Sequence, residues 1–175
     1  MKRRDFLSLV TAGTGVSLLS SCSYKLSLNG ASIPPELKTI NIEYFENNAP
    51  LVVNTLSQQF TEALKNRIRT QTNLSIVRGE ADATMSGSIT GYSIAPVAIQ
   101  ATDPNTPPIA NASRLSISVN VKYTYEADKK LSFDESFSKY LDFTGDISSR
   151  EQALIPEIIK QLTDDIFNRA FASWG

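Results

Sequence analysis

The most regular alternation in the chain runs from Leu115 to Tyr125, where Leu115, Ile117, Val119, Val121, Tyr123 and Tyr125 are separated by Ser116, Ser118, Asn120, Lys122 and Thr124. Successive strand residues point to opposite faces, so this pattern predicts a strand with one buried face. Asp128-Lys129-Lys130 then turns the chain into Leu131 to Phe143, where Phe133, Phe137, Leu141 and Phe143 share a side. The two segments predict an antiparallel hairpin. Ala81 to Ala95 alternates as Ala81, Ala83, Met85, Gly87 and Ile89 before the apolar phase moves to Tyr92 and Ile94, with Gly91 at the slip. A β-bulge at Gly91 explains the change of phase. Shorter strands are expected at Tyr24 to Leu28, at Leu37 to Phe45 with Ile40, Ile42 and Tyr44 on one face, and at Leu74 to Val77.

A different period marks two helices. Val52, Leu56, Phe60, Ala63, Leu64 and Ile68 recur at three- and four-residue spacing after Asn47-Asn48-Ala49-Pro50, which supplies a cap residue and a first-turn proline. Lys65, Arg67 and Arg69 near the end of this helix are accounted for by the helix dipole. The second helix follows two overlapping capping boxes in Ser148 to Gln152 and carries Ile155, Ile158, Ile159, Leu162, Ile166, Phe167, Ala170, Phe171 and Trp174. Pro156 either opens its regular part or kinks it. Residues 96–112, with Pro96, Pro104, Pro107 and Pro108, read as one long connecting loop. Two helices with one apolar face each, and a sheet with one apolar face, bury those faces only against one another. The expected fold class is α+β: a two-layer sandwich of a mixed or antiparallel sheet packed against two long amphipathic helices.

Composition narrows the chemistry. Seventeen basic and eighteen acidic side chains give a net charge of −1, without the basic surplus that nucleic-acid binding requires. The chain of 175 residues has no His and one Cys, which removes Ser-His and Cys-His nucleophiles and zinc sites built on imidazole or several thiolates. Neither a phosphate-cradling glycine loop nor a nucleophile elbow occurs. Asp164 and Asp165 are neighbours on a helix, and Asp134 and Glu135 are neighbours on a strand, so neither pair converges. No catalytic residue, metal site or cofactor is expected, and the chain does not read as an enzyme.

The first residues carry an address. A basic start containing Arg3 and Arg4 precedes an apolar run from Phe6 to Leu19 that is too short to span a bilayer, so residues 1–21 read as an export signal. The adjacent arginines suit either twin-arginine or ordinary secretory export. Leu19-Ser20-Ser21-Cys22 resembles the bacterial lipobox, in which the cysteine receives diacylglycerol and becomes the new N-terminus. Two or three acyl chains hold a membrane firmly, at about 0.8 kcal/mol per buried methylene. Ser23, in place of Asp, fits the sorting pattern for the outer membrane. Residues 22–175 then form one lipid-anchored domain with 14 basic and 17 acidic side chains, a net of −3.

The order of several short motifs adds a family. Ser21-Cys22-Ser23-Tyr24-Lys25-Leu26 with Gly30, Thr39 to Asn47, the Leu56 to Lys65 helix, Ala81-Asp82-Ala83, Gly87-Ser88-Ile89-Thr90-Gly91-Tyr92 and a long C-terminal helix together resemble the lipopolysaccharide-assembly lipoprotein family LptE. That resemblance implies an outer-membrane lipoprotein that plugs an LptD-type β-barrel, supports its assembly and helps deliver lipopolysaccharide to the cell surface, with its domain in the periplasm or the barrel lumen. Polar strand positions such as Ser116, Ser118, Asn120 and Lys122 suit a polar lumen. Phosphates attract basic groups, which nominates Arg114, Lys122, Lys129 and Lys130 for lipopolysaccharide. The competing expectation is a lipid carrier whose own cavity, lined by Phe133, Phe137 and Phe143, holds an acyl chain.

Overall fold

The computed structural model describes residues 33–51, 53–99 and 109–172. The signal residues Arg3, Arg4, Leu19, Ser20, Ser21 and Cys22, the expected strand at Tyr24 to Leu28, and Trp174 lie outside the described residues. In chain order the elements are β1 (Thr39–Ile42), β2 (Glu46–Asn47), α1 (Leu56–Gln71), β3 (Ser75–Val77), β4 (Ala83–Ile99), β5 (Ile109–Tyr125), β6 (Phe133–Thr144) and α2 (Glu151–Phe171).

The sheet is mixed, in the order β3-β1-β4-β5-β6, with β2 pairing β4 beyond the end of β1. Parallel neighbours need a crossover, and α1 supplies it between β1 and β3. The β4–β5–β6 meander is antiparallel and carries the long pairings. Odd-numbered β5 residues, Leu115 through Tyr125, are buried beneath the helices, as the alternation requires. The phase change in β4 is a register shift between Ile89 and Gly91, after which Tyr92 returns to the buried face.

Because β3 and β4 lie on opposite sides of β1, the link through residues 78–82 must cross its entrance. Asp82 fastens that crossing. Its Oδ2 accepts from the backbone N–H groups of Lys38 at 2.9 Å and Thr39 at 2.8 Å and from Thr39 Oγ1 at 2.8 Å. The Asp82 N–H donates back to Thr39 Oγ1 at 3.0 Å. The backbone bonds from Lys38 and Thr39, with the Thr39 hydroxyl, hold the carboxyl below its ordinary range. A depressed carboxylate contributes stability above its unfolded pKa of about 4, and this is lost as pH falls through the folded value. Wild-type melting temperature should therefore drop more than that of Asp82→Asn between pH 7 and pH 3; equal drops would remove Asp82 from the acid response.

α2 is the hub of the ion pairs. Asp164 lies 3.1 Å from Arg67 of α1, Asp165 takes Lys139 of β6 at 2.7 Å, and Arg169 takes Glu135 of β6 at 2.6 Å. The neighbouring aspartates thus do point apart, and Arg67 joins the two helices instead of only answering its own helix dipole. Past the bulge, Tyr92 Oη donates to Glu151 Oε1 at 2.6 Å and ties β4 to the first turn of α2. Burial, then this contact, raises the Tyr92 pKa.

Several boundaries differ from the sequence reading. The strand expected to reach Phe45 stops at Ile42, and Phe45 is buried while Tyr44 is 58% exposed. α1 starts at Leu56 behind Thr55, because Asn47 belongs to β2 and its side chain closes a local turn onto Ala49 and Val53. Ser148 and Ser149 sit in a short 3-10 turn capped by Asp146, so neither opens α2, and Pro156 is inside that helix. The expected loop at 96–112 is partly strand: β4 continues to Ile99 and β5 begins at Ile109. Residues 100–108 lie outside the described residues.

Among the described residues Tyr123 is the largest fully buried side chain, its ring is packed between Phe133 and Phe171, and its hydroxyl finds no hydrogen-bond partner. Burial pushes its pKa up. Removing an unpaired buried hydroxyl removes a desolvation penalty, so Tyr123→Phe should leave stability unchanged or raise it by about 1 kcal/mol in urea unfolding. A loss of similar size would show that the hydroxyl has a partner in solution.

Candidate functional site

The helices cover one side of the sheet and leave the other open among the described residues. On the open side, side chains from β4, β5 and β6 line up in cross-strand rows: Ser93, Ser116 and Tyr140; Ser88, Asn120 and Ser136; Ser86, Lys122 and Asp134. Between these rows, Ser118 Oγ donates to Ser138 Oγ at 3.0 Å where Gly91 leaves room. Asn120 Nδ2 donates to Asp134 Oδ1 at 3.1 Å. Small hydroxyls make this face flat, and the Ser118–Ser138 and Asn120–Asp134 bonds tie β5 to β6 across it.

At one end of the face Arg114 is paired with Asp142. Its Nε and Nη2 donate to Asp142 Oδ1 and Oδ2 at 2.7 and 2.9 Å, and its guanidinium lies 3.7 Å over the Tyr140 ring. This pairing holds the Asp142 carboxyl below its ordinary range. Lys122 is exposed eight residues further along the strand, about 26 Å away at the usual rise. Lys129 and Lys130 lie in the 3-10 turn joining β5 to β6, where Lys130 N–H donates to Asp128 Oδ1. The four cations nominated from sequence therefore spread along the hairpin and do not converge. The Arg114–Asp142 pair was missed, although the constant hairpin register would have found it.

The aromatic residues suggested for a lipid cavity belong to the core. Phe133 and Phe143 are buried, Phe137 packs against the same core, and the Phe133 ring lies 5.6 Å from Tyr123 and 6.3 Å from Phe137. A groove of about 400 Å³ does occur, but on the helix layer between Ala63 and Arg67 of α1 and Ile159 and Thr163 of α2. Among the described residues no cluster of three or more His, Cys, Asp or Glu side chains has metal-binding geometry, and no helix is long and apolar enough to cross a membrane.

The family model described as LptE, lipopolysaccharide-assembly, matches residues 37–170, the whole of the sandwich from before β1 to the last turn of α2. The chain belongs to the LptE family. Several solved structures are similar to this chain at low identity. A protein from Xanthomonas campestris aligns with a TM-score of 0.51 at 8% identity, over 78% of this chain and 87% of that one. Rare lipoprotein B from Shewanella oneidensis gives 0.49 at 14%, over 75% and 92%. A minor lipoprotein from Acinetobacter baumannii gives 0.48 at 11%, over 76% and 91%. No curated protein sequence matches the chain. Two of the stretches that carried the resemblance have structural causes here: Asp82 of Ala81-Asp82-Ala83 locks β1 to β4, and Gly87 to Tyr92 carries the close approach to Phe45 and the bulge.

Proposed function

We propose that this LptE-family chain is an outer-membrane lipoprotein, tethered through acylated Cys22, that plugs and helps assemble an LptD-type β-barrel during lipopolysaccharide transport to the cell surface. The observation that carries this reading is the open sheet face. Its outward residues are polar along β4, β5 and β6, and a barrel lumen is itself polar and is matched by such a surface. The match is one of shape and hydrogen bonding, since Arg114 and Asp142 neutralise each other. Lys122, Lys129 and Lys130 have no carboxylate partner among the described residues and are the cations available to lipopolysaccharide phosphates.

Arginines introduced into the middle of the face test the reading. Ser88→Arg with Ser118→Arg should reduce recovery of the barrel with the tagged protein from native membranes by roughly tenfold, as a long charged side chain holds two flat surfaces apart. The melting temperature should stay near wild type, because both sites point away from the core. Undiminished recovery would mean that the barrel is met through another surface.

A further inference from the structure

Small side chains occupy most positions on the open face of β4, β5 and β6, and one ring rises above them. Tyr140 is 52% exposed and is the one aromatic side chain among the described residues of that face. Its neighbour Arg114 is held from two directions. The Asp142 carboxylate accepts from Nε and Nη2, and the Tyr140 ring lies 3.7 Å beneath the guanidinium. We propose that Tyr140, stacked on Arg114 and steadied there by Asp142, is the anchor by which the open face grips the inner wall of the barrel. This rests on the barrel reading and deepens it from a surface to one cluster of residues.

Binding energy in a protein contact concentrates in a few side chains, Tyr and Arg prominent among them, because each removes a large area from water at once. Ser88, Ser116, Ser118 and Ser138 have little apolar area to bury, so they supply fit more than energy. Association also penalises side chains that must be ordered on contact, and a guanidinium already clamped at 2.7 and 2.9 Å has lost that freedom beforehand. An arginine carried alone into an interface is costly to dehydrate. Arg114 and Asp142 cancel each other's charge, and their side chains are only 35% and 27% exposed, so much of that dehydration has already occurred on folding.

The cluster also specifies what the wall presents. Asp142 takes the Nε side of the guanidinium, which leaves the Nη1 edge turned away from the carboxylate. An acceptor without charge fits that edge, such as the carbonyl of an inward-facing Asn or Gln on a barrel strand, since a third ionised group would give the covered cluster a net charge. The pairing with Asp142 likewise sets Arg114 apart from Lys122, Lys129 and Lys130, the cations offered to lipopolysaccharide phosphates.

Recovery of barrel protein with the tagged full chain from native membranes provides the test. Tyr140→Ala and Arg114→Ala should each lower it roughly tenfold. The double variant should be little worse than either, because ring and guanidinium act as one unit. Tyr140→Phe keeps the stack and should recover the barrel as wild type does. Arg114→Lys keeps the charge but loses the planar fork, and should resemble Arg114→Ala. Ser116→Ala, beside the ring, should change recovery by less than about twofold. All these side chains lie outside the core, so melting temperatures should stay near wild type and a loss of recovery reports on contact instead of folding. Undiminished recovery with Tyr140→Ala would overturn the anchor and leave the barrel reading standing, whereas a wild-type preparation without any barrel would overturn both. Unchanged barrel recovery with less lipopolysaccharide in the preparation would also overturn the anchor, by assigning the cluster to the lipid.

Discussion

Gly87→Ala is expected to destabilise the domain by roughly 3 kcal/mol or more, a large effect for one methyl group. A Cβ at this position would lie 2.1 Å from the backbone oxygen of Asn120 and 2.7 Å from Cε1 of Phe45. The ring can move, but the carbonyl belongs to the neighbouring strand and is held in the central pairing of the sheet. Pairing the change with Phe45→Leu should therefore recover little. The backbone φ of +157° adds to the cost, since side-chain-bearing residues rarely adopt it. Gly91→Ala meets only the Ser118 side chain, at 3.3 Å, and should cost about 1 kcal/mol. Urea unfolding of both variants measures the difference; equal losses would show that the β4–β5 spacing at Gly87 relaxes freely.

Phe45→Ala should cost about 3–5 kcal/mol, the usual range for emptying a buried aromatic site. Phe45 is fully buried, and its ring stands edge-on to Phe60 of α1 at 5.1 Å. Its backbone N–H donates to the buried Thr61 Oγ1 at 3.1 Å. One residue therefore joins the turn between β1 and β2 to the inner face of α1, and the Gly87 gap exists to admit it. Collapse around the vacated space is limited because strand backbone lies on one side and helix on the other. The adjacent Tyr44 offers the contrast: at 58% exposure, Tyr44→Ala should change stability by less than about 0.5 kcal/mol. Comparable losses at the two positions would contradict the placement of Phe45 in the core.

The strands legible in the sequence were those with one wet face and one dry face. Leu115 to Tyr125 follows the alternation residue by residue, and the bulge showed itself as a phase change at Gly91. The α+β class followed from the two periods together. Failures gathered where local chemistry competes with pattern. Asn47-Asn48-Ala49-Pro50 has the letters of a helix start, but Asn47 is held in the sheet and spends its side chain on a turn. Prolines in 96–112 suggested a loop, yet β4 accommodates Pro96 in its strand. Interactions across the fold, such as Tyr92 with Glu151 and Arg67 with Asp164, leave no trace in sequence spacing. Part of the candidate site was legible, in Ser116, Ser118, Asn120 and Lys122, because alternation names the outward residues as surely as the inward ones. That the outward face is open among the described residues was legible too, since a sheet with one apolar face calls both helices to the same side.

The central claim is that a lipid-tethered LptE-family domain serves as the companion of an outer-membrane barrel. The most direct measurement is recovery of the tagged full-length protein from native membranes in mild detergent, with intact mass determined on everything that accompanies it. The account predicts a large β-barrel protein in near-equal amount and a diacylglycerol modification on Cys22. Recovery without any barrel protein, or with an unmodified Cys22 thiol, would contradict it.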